Sequence, residues 1–198
     1  MSVSTYKIVL LGVAAVGKTS VITRFVSKHY DANYLPTIGL DYFFKTVYLE
    51  DATVRLQIWD SAGMERFASL LPRYVRECSV AVIIYDITSI SSFEKTNEII
   101  ENVRRERGND VNFVLVGNKS DLESQRVVSY EMGREKADSI DALFIETSAK
   151  MGYNVRVLFR KIATALESQQ HSLDKEEDDG TPRIQHHIAS HEEPVCSC

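Results

Sequence analysis

Gly12-Val13-Ala14-Ala15-Val16-Gly17-Lys18-Thr19 has the spacing G-x-x-x-x-G-K-T and directly follows the apolar run Tyr6–Leu11. Two glycines let the chain bend so that successive N–H groups face one concavity. That nest, with the start of a following helix, favours a polyanion. Lys18 adds a point charge suited to β- and γ-phosphates, and Thr19 a hydroxyl suited to Mg²⁺. Ala15, Val16, Gly17 and Ser20 belong to the same expected phosphate cradle. The ligand implied is a nucleoside di- or triphosphate with magnesium, its base still open.

Three further loops carry the remaining chemistry, each after an apolar run. Trp59 leads into Asp60-Ser61-Ala62-Gly63. An acid at a strand end facing a phosphate loop suits Mg²⁺, and Gly63 lets its N–H approach a γ-phosphate with no Cβ in the way. Val114–Gly117 leads into Asn118-Lys119-Ser120-Asp121. The Asp121 carboxylate can accept from guanine N1–H and its 2-amino group. Adenine offers neither donor, and sites built this way discriminate by factors of about 10⁴. Lys119 can lay its methylene stem over the base. Thr147-Ser148-Ala149-Lys150 ends the next run, and its Ala149 N–H suits guanine O6. D-x-x-G alone is common, and an Asn-led polar loop alone reads as a cap. The convergence of three loops on one nucleotide is what selects GTP and GDP.

The elements that must hold these loops alternate along the chain. Strands are predicted at Tyr6–Leu11, Tyr42–Glu50, Thr53–Trp59, Val80–Asp86, Asn112–Asn118 and Ala142–Glu146. Ala81–Tyr85 is apolar throughout, as a central parallel strand buried on both faces should be. Helical periodicity covers Thr19–Lys28, Ser92–Arg107, Tyr130–Ser139 and Asn154–Glu167. In the last, Val155, Leu158, Ile162, Ala165 and Leu166 are expected on one face. Ser91 or Ser92, and Asn154, suit N-caps, and Glu50-Asp51-Ala52 reads as a hairpin turn. The expected fold class is α/β: a six-stranded, mostly parallel sheet with one antiparallel edge strand, helices on both faces and ligand loops at the strand C-termini.

The chain has 198 residues, 44% of them hydrophobic, enough for one well-buried α/β domain. Its apolar runs are too short to span a membrane. The first residues lack a signal-peptide pattern, and Ser2 stands where N-myristoylation needs glycine; a cytosolic start is the expectation. Residues 167–198 hold eight acids against two bases, while the whole chain has a net charge of −5. The remainder is therefore near neutral, which disfavours nucleic acid as a partner. The expected division is a domain over residues 1–168 and a disordered acidic tail over residues 169–198, poor in apolar residues from His171 to His191. His186-His187 lacks a third ligand at suitable spacing and reads as solvated linker. Three cysteines, with Cys78 alone in the globular part, do not form a disulfide framework.

Taken together, Gly12–Thr19, Thr37, Trp59–Gly63, Asn118–Asp121 and Ser148–Lys150 resemble the five guanine-nucleotide motifs of Ras-superfamily small GTPases, over roughly residues 6–166. Glu65-Arg66-Phe67, Tyr85-Asp86-Ile87-Thr88 and the terminal Cys196-Ser197-Cys198 resemble the Rab family. Tyr48–Asp51, Glu106-Arg107-Gly108, Ile145–Lys150 and Gly152–Val155 resemble its Golgi retrograde-traffic subgroup.

The resemblance implies a P-loop GTPase fold and a GDP/GTP switch. Thr37, with Thr19 and Asp60, would serve Mg²⁺; loss of the γ-phosphate would release Thr37 and Gly63. Tyr30 would pack on the guanine edge, and Tyr34 would cover the phosphates. An aromatic triad, here Tyr42, Trp59 and Tyr74, would face effectors, with Tyr42 where relatives usually carry Phe. Implied partners are effectors, an exchange factor, a GTPase-activating protein, escort and GDP-dissociation-inhibitor proteins, and a membrane. The chain would be monomeric and cycle between cytosol and the cytoplasmic face of Golgi or vesicle membranes.

The C-x-C end, Cys196 and Cys198, resembles the doubly geranylgeranylated Rab terminus. Val195 occupies the place a C-a-a-X cysteine would need. Stable anchoring takes two signals, each buried CH₂ giving about 0.8 kcal/mol, and this tail has no polybasic stretch to serve as the second.

The departures from the family pattern are specific. Met64 stands where Rabs usually have the Gln that orients the attacking water. A thioether is a weak acceptor and no donor, so slow intrinsic hydrolysis is expected. Activating proteins that bring both an Arg and a Gln in trans would still stimulate it. Ala14 and Ala15 remove polar side chains from the phosphate loop but leave its backbone nest, and Ser61 replaces Thr conservatively. The alternative function is a GTP-bound recruitment module with little or no hydrolysis. A P-loop kinase of small substrates would need an Arg-rich lid, and none is evident.

Overall fold

The computed structural model describes residues 3–30, 40–61, 72, 75–108 and 111–178. Strands β1 (Ser4–Leu11), β2 (Leu40–Tyr48), β3 (Thr53–Ser61), β4 (Val80–Asp86), β5 (Asn112–Asn118) and β6 (Leu143–Glu146) form one sheet. Their spatial order is β2-β3-β1-β4-β5-β6. β2 and β3 pair antiparallel, and every other pair is parallel. The Leu49 N–H closes the hairpin onto Ala52 O at 2.9 Å. This is the predicted α/β sheet, with β2 as its antiparallel edge.

Helices α1 (Lys18–Ser27), α2 (Ile90–Arg107), α3 (Tyr130–Ser139) and α4 (Val155–Asp178) cover both faces. On one face Ile8, Leu10, Leu56, Ile58, Val82 and Ile84 meet Ile22 and Phe25 of α1 and Leu158, Phe159 and Ile162 of α4. Phe25 and Phe159 stack with ring centroids 4.0 Å apart. On the other face Val9, Leu11, Ile83, Tyr85 and Leu115 meet Phe93, Ile100 and Val103 of α2 and Ala137 of α3. β1 has β3 on one side and β4 on the other, so the crevice of such a sheet opens at its C-terminal end. The glycine loop begins there.

Several boundaries differ from the sequence expectation. α2 is capped by Ser89, not Ser91 or Ser92: the Ser89 side chain accepts from the Ser92 N–H. The Asn154 side chain donates to Glu146 O at 2.9 Å, so it ties α4 to the end of β6. Along α4 the buried face is Val155, Leu158, Phe159, Ile162, Ala163 and Leu166. Ala165 is exposed, because ten residues past Val155 lies off that face at 100° per residue.

α4 also runs eleven residues past Glu167, through the first part of the segment expected to be disordered. Gln, Leu, Lys and Glu are good helix formers, and neither Gly nor Pro interrupts them before Gly180. Asn112 and Gln169 exchange two amide hydrogen bonds, at 2.9 and 3.0 Å, and fasten the helix to the start of β5. Residues 179–198, including His186, His187, Cys196 and Cys198, lie outside the described residues.

Candidate functional site

Four strand ends meet beside the glycine loop. The loop leaves β1 at Leu11 and enters α1 at Lys18. A Cβ on Gly12 would stand 2.4 Å from Ile84 O, a backbone atom that cannot move aside. Gly17 has φ 95°, and a Cβ there would fall 2.4 Å from the Asn118 amide nitrogen. Both glycines are therefore required by contact as well as by the bend. Ala15 adopts φ 64°, a left-handed conformation that costs a non-glycine residue of order 1 kcal/mol. Ala14 and Ala15 are exposed, so neither side chain fills the cradle.

Lys18 is 6% exposed and donates to Gly12 O and Val13 O, both at 2.9 Å, so the loop closes around its own cation. One residue on, the Thr19 hydroxyl donates to Asp60 Oδ2 at 2.6 Å. Asp60 lies opposite Leu10 in the β1–β3 register and is buried. Ser61 donates to Leu10 O at 2.6 Å and holds β3 against β1 at the point where Asp60 leaves it. Hydroxyl and carboxylate oxygens are the hard donors Mg²⁺ takes, and a buried ammonium beside a backbone nest suits phosphate. The residues present fit both groups. Ser20 follows in the first turn of α1.

The base-reading loops are locked together by Asn118, which is buried. Its amide donates to Val16 O at 2.8 Å, across 102 residues, and its carbonyl accepts from the Thr147 hydroxyl at 3.1 Å and the Ala149 N–H at 3.2 Å. Ser148 donates to Asp121 Oδ1 at 2.6 Å, which fixes an exposed carboxylate between two loops. Lys119, at φ 69°, sends its ammonium to Asp86 Oδ2 at 2.6 Å, so its stem is stretched between the ends of β5 and β4. Asp86 in turn accepts from the Thr88 N–H and hydroxyl at 2.8 and 2.7 Å. Lys150 offers its carbonyl to Arg24. Tyr30 stands with its ring 5.8 Å from the Arg24 guanidinium.

A second arginine braces the same loops from the far side. Arg126 makes a bidentate pair with Glu146 at 2.6 and 2.8 Å, and also bonds Glu123 and Val128 O. The two carboxylates raise the Arg126 pKa well above its ordinary value, chiefly by accepting these bonds. Their charge-assisted geometry fixes Glu146, the residue before Thr147.

These bonds join the phosphate loop, the Asp60 strand end and both base loops at one end of the sheet. A model of the Ras family matches residues 7–168. The chain belongs to the Ras family. It is therefore a small GTPase, a switch that binds guanine nucleotides, typically with Mg²⁺, hydrolyses GTP, and works through regulators and effectors. The fold is the one Ras-family chemistry uses, with ligand loops at the C-terminal ends of the sheet.

Of the residues singled out from sequence, Ala15, Val16, Gly17, Lys18, Thr19, Ser20, Tyr30, Asp60, Asn118, Lys119, Asp121, Ser148, Ala149 and Lys150 have described positions. Tyr34, Thr37, Gly63, Met64 and Tyr74 lie outside the described residues. Tyr42 and Trp59 are directly opposite each other on β2 and β3, ring centroids 5.6 Å apart, and Tyr42 is 55% exposed. Sequence reasoning did not single out Thr147, Asp86, Arg24 or Arg126 as site residues. Asp86 could have been found, since it ends a strand next to Asn118 in register.

Proposed function

We propose that this small GTPase is of the Rab type, a GDP/GTP switch that recruits effectors in vesicle transport at the Golgi. The observation that carries this reading is the Tyr42–Trp59 pair on the edge hairpin, in which Tyr42 is exposed while Trp59 is half-buried against the core. Tyr74 would complete it. Cys196 and Cys198 would carry two geranylgeranyl groups, and escort and GDP-dissociation-inhibitor proteins would move the chain between membrane and cytosol.

In the switch itself, Lys18 binds the β- and γ-phosphates, with the backbone of Ala15, Val16 and Gly17 around them. Thr19, Thr37 and Asp60 would hold Mg²⁺, which supplies charge neutralisation on the phosphate oxygens. Asp121 and Ala149 read guanine, Lys119 and Tyr30 flank it, Ser148 orients Asp121, and Tyr34 covers the phosphates. Lys150 serves through its backbone. Gly63 senses the γ-phosphate by its N–H. Met64 occupies the position that aligns water and supplies no polar atom able to do so well, so the intrinsic rate is low.

The test is in vitro prenylation with the escort protein, a protein geranylgeranyl transferase and geranylgeranyl pyrophosphate, read by intact mass. Two added chains on the native protein, none on Cys196→Ser/Cys198→Ser, and Golgi localisation lost in that variant are expected. A native chain that accepts no lipid contradicts the reading. The second reading, a recruitment module that stays GTP-bound, is favoured by Met64 alone. It requires GTP as the nucleotide retained through purification.

A further inference from the structure

Arg24 projects from the last turns of α1 into the base-reading loops. Its Nε donates to Ala149 O at 2.8 Å, its Nη2 to Lys150 O, and its Nη1 to Lys28 O at 3.0 Å. Lys28 is the left-handed residue at which α1 stops. The guanidinium lies 5.8 Å from the centroid of Tyr30, and the side chain passes close to Gly152, where an added Cβ would meet Cδ and Nε at 3.6 Å. All three acceptors are main-chain carbonyls, and two of them are 125 and 126 residues away in sequence. The planar fork spreads its donors over three nitrogens and so reaches carbonyls on two separate segments, whereas an ammonium offers its three donors from a single atom.

We propose that Arg24 is a positioning residue for base recognition. By holding the carbonyls of Ala149 and Lys150 it fixes the loop whose Ala149 N–H, resting on Asn118 Oδ1 at 3.2 Å, is the donor offered to guanine O6. By holding Lys28 O and backing Tyr30 it also ties that loop to the end of α1. This rests on the reading that Ala149 faces O6.

The test compares release of GDP with release of 6-thio-GDP, whose sulfur is a weak acceptor, from the full chain with Mg²⁺. The native chain should release the thio nucleotide faster. Arg24→Ala should speed GDP release about ten-fold, the scale of one lost charge-assisted bond, and bring the two nucleotides close to a common rate. Arg24→Lys, which keeps charge and stem, should fall between. Equal acceleration of both nucleotides with their difference intact would assign Arg24 a merely structural role and overturn the proposal, as would no acceleration. If Arg24→Ala does not fold, Arg24→Lys decides on the same criteria. A native chain that treats the two nucleotides alike refutes the O6 reading, and the proposal with it.

Discussion

Asn118 touches both sides of the nucleotide site: its amide holds Val16 O and its carbonyl holds Thr147 and Ala149. Asn118→Ala removes these bonds inside a buried cluster, where each group left without its partner costs about 1–3 kcal/mol. The expected loss is about 3 kcal/mol, measured by denaturant unfolding at fixed GDP concentration, together with faster GDP release. Asp121 differs, since it is exposed and is held by the Ser148 hydroxyl. Asp121→Asn should therefore leave stability within about 0.5 kcal/mol while GDP loses its advantage over ADP in a competition assay. The placement of Lys18, Thr19 and Asp121 beyond the ends of strands was legible because their side-chain chemistry recurs at a fixed spacing. The bracing by Asn118 was not, because its partner Val16 contributes only a carbonyl, which every residue has. Arg24 was hidden for the same reason.

At the scale of elements, strand limits were more legible than helix ends. β4 and β5 were legible as apolar runs and occur with the predicted limits. α4 outruns its apolar periodicity, because propensity and the Asn112–Gln169 pair carry the helix on. α3 gives a test in which two effects oppose each other. Ala favours a helix interior over Gly by about 1 kcal/mol. A Cβ on Gly133, however, would lie 2.4 Å from the Tyr85 hydroxyl and 2.5 Å from the Phe144 ring, both packed against the sheet. Overpacking of that kind costs about 1–3 kcal/mol, so Gly133→Ala should lower Tm with GDP bound. A raised Tm would show that the rings yield. The same packing desolvates the Tyr85 hydroxyl and pushes its pKa up, so it should stay protonated through pH 10, seen as an unchanged tyrosinate absorbance for one ring until unfolding.

For the whole molecule, the sheet divides the work. The C-terminal ends of β1, β3, β5 and β6 carry the nucleotide loops, while the β2–β3 hairpin at one edge turns Tyr42 outward. Under the proposed reading, a partner on that aromatic surface would report on the nucleotide without touching the base. Thr37, Gly63 and Met64 lie between these regions in sequence and follow from motif and resemblance alone. Met64 bears most on how the switch behaves, since it stands where the resemblance places the Gln that orients the attacking water. Single-turnover GTP hydrolysis by the native chain and by Met64→Gln, both without an activating protein, measures that step directly. Met64→Gln should be faster by at least about ten-fold, or about 1.4 kcal/mol off the barrier. Equal intrinsic rates would contradict it.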